Sequence, residues 1–116
     1  MDDCLFCRIA RGEIPASKVF EDEEIVAFHD INPARPVHIL VIPKRHITSL
    51  ATVSDADVPV LGRMLAQAKT LASENGSTDG FRVIINTGRV GGQEVQHLHA
   101  HIVGGPDPVG PMLKRI

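Results

Sequence analysis

The feature that most restricts the fold of this chain is a row of histidines at alternate positions near its C-terminal end. The row is HLHAHIV, residues 97–103, so three imidazoles alternate with aliphatic side chains. Successive side chains of an extended strand point to opposite faces, which places the imidazoles on one face and lets the aliphatic residues enter a core on the other. The pattern predicts a strand over residues 96–103 with chemistry on one side.

Imidazole acts as a nucleophile, a proton carrier or a metal ligand near neutral pH. A lone histidine on a strand is usually a half-exposed residue with one hydrogen-bond partner, but strict alternation of three indicates an active site or a metal site. Positions i, i+2 and i+4 span about 13 Å at ~3.3 Å per residue. Because all three rings cannot easily reach one ion over that span, the row is better suited to lining a cleft.

Glycines bracket this row. Gly91 and Gly92 precede it, and Gly104 and Gly105 follow it. Glycine lets a backbone turn sharply or approach a ligand closely. The glycine-rich connection over residues 87–93 is predicted to contact phosphate, since exposed amide N–H groups attract anions.

The remaining pattern predicts an α+β fold. A short helix is expected over residues 5–10 and a long one over 55–75, with Ser54 and Gly76 as candidate caps. The apolar stripe expected to face the core is Val58, Leu61, Met64, Leu65, Ala68, Leu71 and Ala72. Strands are predicted over 18–21, 25–28, 37–42, 81–86 and 96–103. Short connections between strands indicate an antiparallel sheet of about five strands with its helices on one side.

Size and charge exclude several classes of function. A chain of 116 residues with formal charge −2 is large enough for one core, so residues 1–116 are expected to form a single domain. Its basic residues are scattered apart from Lys44 and Arg45, which argues against a nucleic-acid partner. The N-terminus lacks the features of a secretory signal, and no segment is long and apolar enough to span a bilayer. These features predict a cytoplasmic protein with no membrane partner.

Several motifs in order resemble the histidine triad (HIT) superfamily, in its bacterial nucleotide-binding branch. The triad motif is complete in residues 97–103. Further similarities are GEIP at 12–15, FHDINP at 28–33, VIPKRH at 41–46 and GPML at 110–113. The resemblance covers nearly the whole chain, and it implies the HIT-like antiparallel sheet with one long and one short helix, and a homodimer.

The resemblance also implies an activity. Members of this branch hydrolyse purine nucleoside 5′-phosphoramidates or acyl-nucleotides through a nucleotidyl-histidine intermediate, and release a nucleoside monophosphate. The nucleophile maps onto His99. His101 is expected to hydrogen-bond the phosphate and help carry a proton to the leaving amine, tasks that suit a protonated imidazole, and His97 is expected to act from behind these two.

Nucleotide contacts carry over from the same resemblance. Asp30 corresponds to the carboxylate that accepts hydrogen bonds from the ribose hydroxyls. Phe6 and Phe28 belong to an apolar slot for the purine, although both could instead be ordinary core residues. Asn86 and Gln93 correspond to polar contacts near the phosphate. The full expected set is Leu5, Phe6, Ile9, Phe28, His29, Asp30, Ile31, Asn86, Gln93, Val95, His99 and His101.

One position departs from the family pattern. Many relatives have Ser or Thr where this chain has Glu94. An ionised carboxylate cannot donate a hydrogen bond and repels phosphate. Either Glu94 turns outward and leaves the contact to its backbone N–H, or the leaving-group preference favours amines.

A second group of residues is typical of a metal site. Cys4 and Cys7 form a C-x-x-C pair, and with His46 and His97 they match a tetrahedral Cys2His2 zinc site. A subset of bacterial HIT proteins carries this set as a zinc site, so a structural Zn²⁺ is expected in preference to free thiols. His97 would then leave the chemistry to His99 and His101.

Two other functions stay open. One is a nucleotide- and zinc-binding regulatory module with little turnover, and the other is a dinucleoside polyphosphate hydrolase of the related fragile-histidine-triad branch. The middle histidine favours an enzyme, because binding alone does not require a nucleophile at His99.

Overall fold

A computed structural model describes residues 4–113 of the chain. Its strands are β1 (Lys18–Glu21), β2 (Ile25–His29), β3 (Val37–Pro43), β4 (Arg82–Ile84) and β5 (Ala100–Gly104). Its α-helices are α1 (Leu5–Ala10), α2 (Val58–Glu74) and α3 (Gly88–Gly91). Two 3-10 turns, Leu50–Thr52 and Asp55–Asp57, precede α2.

The five strands form one antiparallel sheet in the order β1-β2-β3-β5-β4. The central strand β3 pairs with β2 on one side and with β5 on the other, and all seven of its residues are buried. The predicted α+β class and five-stranded sheet are confirmed.

The two main helices lie on opposite faces of this sheet, so the prediction that they share one side is wrong. The α2-face cluster joins Met64 and Leu71 of α2 to Ile39 of β3. The α1-face cluster joins Phe6 of α1 to Leu40, the next residue along β3. Apart from His38, β3 is apolar throughout. Such a run is typical of a strand covered on both faces, so the sequence already contained this signal.

Helix α2 starts later than predicted. The backbone of residues 55–57 forms a 3-10 turn, because Asp57 accepts the N–H of Ser54 and closes a capping box there. At the other end the N–H of Ser77 donates to Ala72 across Gly76, whose φ is +109°. This is the bonding pattern of a Schellman cap, which favours glycine. Gly76 is therefore confirmed as a cap.

The apolar stripe of α2 is corrected at two positions. Met64, Ala68, Leu71 and Ala72 are buried as predicted, and Val60 is buried with them. Val58 and Leu65 are instead 60% and 51% exposed. Both lie beside the buried stripe, which consists of Val60, Met64, Ala68, Leu71 and Ala72.

The predicted strands near the site are too long. β4 ends at Ile84 and β5 begins only at Ala100, so residues 96–99 lie outside the sheet ladder. The glycine-rich connection, predicted as a loop, contains the single helical turn α3. The face assignment of the triad is confirmed, since Leu98, Ala100 and Ile102 join the α2-face cluster. Within residues 4–113 no helix has the length and apolar character needed to cross a membrane.

Candidate active site and metal cluster

The histidine row lies on the face of the sheet that α1 covers. The rings of His99 and His101 have centroids 5.0 Å apart, and His97 contacts the ring of His46 at 4.9 Å. Phe6 meets the rings of His97 and His99 edge-on, at 6.0 and 5.2 Å. The row therefore divides: His97 lies against His46, while His99 and His101 form the candidate catalytic pair.

The tautomer of His99 is fixed by the backbone. Its Nδ1 lies 2.8 Å from the carbonyl oxygen of His97. A carbonyl can only accept, so Nδ1 carries the proton and, in the neutral ring, Nε2 keeps its lone pair. His99 is 6% exposed. This arrangement presents a nucleophilic nitrogen in a largely dry site.

A chain of hydrogen bonds fixes the tautomer of His101 in a different way. The N–H of Ala34 donates to Nδ1 of His38 at 3.0 Å, so the proton of the neutral His38 ring is on Nε2. That Nε2 lies 2.9 Å from Nδ1 of His101, to which it donates. Nε2 of His101 consequently carries a proton and can donate a hydrogen bond to a bound anion.

The charge state of His101 corrects one expectation. Burial lowers the pKa of His101 to about 4, and the neighbouring rings of His99 and His38 lower it further than the carboxylate of Asp30 raises it. The ring is neutral at pH 7 in the free protein. The expected protonated imidazole is therefore absent at rest, and a neutral Nε2–H takes over the role of donor.

His38 is the site residue that the sequence reasoning missed. It is buried on β3, where it is the one ionisable side chain in the run VHILVIP. Buried polar side chains usually have a specific hydrogen-bond partner. A histidine inside an otherwise apolar strand was the available signal.

Asp30 follows the end of β2, beside this chain of histidines. Its Oδ2 lies 3.5 Å from Nε2 of His38, and its Oδ1 accepts the N–H of Asn32 at 2.8 Å. The carboxylate is half-buried, whereas the adjacent His29 is exposed. Asp30 thus holds acceptor oxygens at the rim of the candidate site.

The predicted purine slot is only partly open. Phe6, Ile9 and Phe28 are buried in the α1-face cluster, and the two phenylalanine rings pack edge-on with centroids 5.7 Å apart. Phe6 and Phe28 thus pack as core residues here, and contact of Phe6, Ile9 and Phe28 with a purine stays a prediction. Leu5 and Ile31 present apolar surface, being 45% and 92% exposed.

Gln93 holds the glycine-rich connection in place. Its Oε1 accepts the N–H of Gly88, and its Nε2 donates to the carbonyls of Thr48 and Val95 at 2.7 and 2.9 Å. Both amide hydrogens are occupied, so in this structure the side chain orders the loop. A contact between Gln93 and phosphate stays a prediction.

The predicted contact Val95 lies at a cavity of about 410 Å³. Val95 and the exposed Glu94 line this cavity together with Leu5, Cys4 and His46. Asn86 is half-buried and lies between β4 and α3.

The four predicted metal ligands come together. Nδ1 of His97 lies 3.3 Å from Sγ of Cys4 and 3.4 Å from Sγ of Cys7, and Nδ1 of His46 lies 3.2 Å from Sγ of Cys7. All four ligand atoms are within 4.8 Å of one another. Nε2 of His97 donates to the carbonyl of Pro43 at 2.8 Å, which leaves Nδ1 free to bind a metal.

The protonation of this cluster, here called the Cys/His cluster, also fits a metal. Burial lowers the pKa of His97 to about 4, so its ring is neutral and able to ligate. Burial and the neighbouring Cys4 raise the pKa of the Cys7 thiol to about 11. A buried thiol is a poor nucleophile on its own, whereas a metal ion would deprotonate it. The donor set of two sulfurs and two imidazoles is typical of structural zinc.

A second group of side chains is close enough together to bind a metal ion, but its hydrogen bonds are incompatible with metal binding. Asp30, His38 and His101 place three ligand atoms within 4.8 Å. To ligate through Nε2, His38 would need its proton on Nδ1, where the N–H of Ala34 already donates. Two donors would then face each other. This group, the Asp/His relay, is therefore suited to directing protons.

A five-stranded antiparallel sheet with a pair of oriented histidines on its α1 face defines the class of histidine triad proteins. A family model described as "Scavenger mRNA decapping enzyme C-term binding" matches residues 3–115. The chain belongs to the histidine triad family.

Relatives and solved structures agree with this assignment. The chain is 55% identical over 106 residues to "Protein HitA" of Neisseria gonorrhoeae, which covers 91% of this chain and 99% of that protein. It is 45% identical over 113 residues to "Purine nucleoside phosphoramidase" of Escherichia coli K12, covering 97% and 94% of the two chains. A histidine triad protein from Clostridium difficile has a similar structure, with a TM-score of 0.89, 46% identity and coverage of 96% and 97%.

Proposed function

We propose that this protein hydrolyses purine nucleoside 5′-phosphoramidates and acyl-nucleotides, with His99 as the nucleophile. The observation that carries the proposal is the hydrogen bond from Nδ1 of His99 to the carbonyl of His97, which leaves Nε2 with its lone pair. The Escherichia coli relative, 45% identical, is named a purine nucleoside phosphoramidase. The name of this relative and the lone pair on His99 Nε2 therefore support the same reaction.

The reaction would proceed in two displacements. Nε2 of His99 attacks the α-phosphorus, and the bond from phosphorus to the leaving nitrogen or oxygen breaks. The leaving group departs with a proton that His101 passes on from solvent, and the water that attacks in the second step returns one proton to solvent. Water then attacks the nucleotidyl-His99 adduct, the bond between phosphorus and Nε2 breaks, and a nucleoside monophosphate is released. Splitting one displacement into two lowers the barrier of each.

The neighbouring residues have separate roles in this proposal. His101 donates its Nε2–H to a phosphate oxygen and stabilises the charge that develops there. His38 holds that tautomer from behind, so it is a positioning residue. Asp30 accepts hydrogen bonds from the ribose hydroxyls. Leu5 and Ile31 offer apolar surface to the base.

We further propose that Cys4, Cys7, His46 and His97 hold a zinc ion. When bound, zinc would supply a cross-link between α1 and the segment before β5. Four protein ligands would close its coordination shell, so its contribution is to structure.

Replacement of the nucleophile tests the proposal. We expect His99→Ala to lower AMP release from adenosine 5′-phosphoramidate by roughly 10³-fold or more, since covalent catalysis is lost, with AMP binding largely retained. Lys69→Ala, an exposed position on α2, is the matched control. Unchanged turnover in His99→Ala would overturn the nucleophile, and AMP binding by the unaltered protein without turnover would support a binding module instead.

A further inference from the structure

His97 takes part in both functional regions, through two different groups. Its ring lies in the Cys/His cluster, with Nδ1 at 3.3–3.4 Å from the two sulfurs and Nε2 donating to Pro43. Its main-chain carbonyl accepts the Nδ1–H of His99. One residue therefore connects the candidate metal to the tautomer of the candidate nucleophile.

The sheet does not hold this carbonyl in place. β5 begins at Ala100, so residues 97–99 precede the ladder. The described backbone bond in this short segment is from the N–H of Leu98 to the carbonyl of Ile47, at 2.6 Å. That N–H and the His97 carbonyl belong to the same planar peptide unit, so the bond to Ile47 orients the carbonyl. The bond joins the two residues that directly follow His46 and His97, so the orientation of the carbonyl depends on how firmly these two cluster residues are held.

Helix α1 provides a second connection. Phe6 lies between Cys4 and Cys7 in the sequence and is 4% exposed. Its ring meets His97 at 6.0 Å and His99 at 5.2 Å. A change that loosens Cys4 and Cys7 should therefore also loosen Phe6, which packs against the ring of His99.

We propose that metal binding at the Cys/His cluster and binding of the nucleotide phosphate at His99 strengthen each other, with His97 as the positioning residue that couples them. This inference rests on the proposed function and on the metal cluster. Thiol contacts to Nδ1 are weak, whereas a metal bond fixes the ring. A metal that joins His46 to His97 fixes the two segments that the bond from Leu98 to Ile47 connects, and with them the His97 carbonyl. That carbonyl keeps the lone pair of His99 on Nε2.

The coupling must be reciprocal. If zinc raises the affinity for a ligand by some factor, that ligand raises the affinity for zinc by the same factor. We expect a factor of roughly 5–50, within the usual range of coupling between sites. The effect should be larger for AMP than for adenosine, because only AMP carries the phosphate that faces His99.

The test uses the full chain and needs no turnover. Zinc dissociation constants are measured by competition with a chromophoric chelator, alone and with saturating AMP or adenosine. AMP and adenosine affinities are measured by calorimetry in zinc-loaded and zinc-free protein. Nitrogen NMR of the His99 ring reports its tautomer in both forms. We expect AMP to tighten zinc binding by several-fold more than adenosine does, and zinc removal to mix the His99 tautomers.

Two variants separate the coupling from simple stabilisation. His46→Cys and His97→Cys both convert the cluster into a Cys3His set, which also binds zinc. His46→Cys should keep the coupling, because His97 is intact. His97→Cys should keep zinc, but its shorter side chain cannot bond to Pro43 and holds the main chain of residue 97 at a different distance from the ion. The difference between AMP and adenosine should therefore shrink toward none.

The outcomes are distinguishable. Equal effects of AMP and adenosine on zinc affinity, or a coupling that survives His97→Cys, would overturn this inference, as would failure of the protein to bind zinc. If the protein turns over the phosphoramidate but binds AMP equally well with and without zinc, the coupling fails while the proposed function stands. If AMP does not bind to the zinc-loaded protein, the proposed function fails first.

Discussion

The Cys/His cluster and the Asp/His relay are built from similar materials but suit different chemistry. Each gathers histidines with an acidic or thiol group to within 4.8 Å. In the first, a carbonyl accepts from Nε2 of His97 and leaves Nδ1 open to a metal. In the second, a backbone N–H donates to Nδ1 of His38, so the proton stays on Nε2. The group behind the ring, and not the ring itself, decides between ligand and proton donor.

Metal content gives the largest expected difference between the two clusters. We expect about one zinc per chain, and Cys7→Ser to abolish it and lower the thermal midpoint by roughly 10–20 °C, because binding free energy adds to folding. Asp30→Asn in the relay should leave the zinc content unchanged. Elemental analysis and calorimetry measure both. Loss of zinc in Asp30→Asn would instead assign the metal to the Asp/His relay.

Removal of the relay's central ring should act on turnover alone. We expect His38→Phe, which keeps the buried volume, to lower kcat about 10–100-fold, because His101 loses the partner that fixes its tautomer. Zinc content should not change. His38→Asn offers a shorter donor and should recover part of the rate.

Nitrogen NMR adds a measurement that a packing defect would not alter. In the unaltered protein the His101 proton should lie on Nε2, whereas His38→Phe should populate both tautomers. A single unchanged tautomer would remove His38 from the mechanism.

A substitution of Asp30 tests whether the Asp/His relay also contacts the ribose, a role that the Cys/His cluster does not have. We expect Asp30→Ala to weaken binding of a nucleoside monophosphate about 10-fold, since a charged acceptor of ribose hydroxyls is lost. A 2′,3′-dideoxy analogue should bind almost equally to both proteins. Similar losses for the two ligands in calorimetry would show that Asp30 does not read the ribose.

The smallest effect is a pH dependence in the zinc-free protein. The pKa values of His97 and His101 are lowered to about 4 in the folded chain from an ordinary 6.5, so between these values the unfolded chain binds more protons. Its free energy of unfolding should therefore fall as the pH drops from 6.5 to 4, by roughly 1 kcal/mol after solvent screening of these partly exposed rings is allowed for. Denaturant titrations at several pH values check this. Zinc should remove the His97 part, and His101→Gln the other.

The periodicity of the sequence predicted the elements of the fold well, but it did not predict their relative positions. α1 and β1 have the bounds expected from local pattern, and the triad faces the expected side. The placement of α1 and α2 on opposite faces depends on packing against β3. A short stretch of sequence does not reveal contacts with residues so far away in the chain. The late start of β5 at Ala100 has the same origin, since the length of a strand depends on where its partner strands offer hydrogen bonds.

Site residues differ in the same way. The cysteines and His46 could be grouped from ligand type and spacing, and His99 from the triad motif. The role of His38 depends on the N–H of Ala34 and on the ring of His101, 63 residues further along the chain. Only the folded structure brings these groups together. Gln93 was recognised as a site residue, but its three bonds to the backbone were not.

The placement of the two helices on opposite faces also has a consequence for how this chain can vary. The α2-face cluster is made of apolar residues, so exchanges that conserve volume there should be tolerated. The other face has an apolar cluster as well, but it also carries the Cys/His cluster and the Asp/His relay, whose side chains have directional partners. In a library of variants, substitutions on the α2 face of the sheet should therefore be tolerated more often than substitutions on the α1 face. The residues of β3 should alternate between the two behaviours, because their side chains point to the two faces in turn.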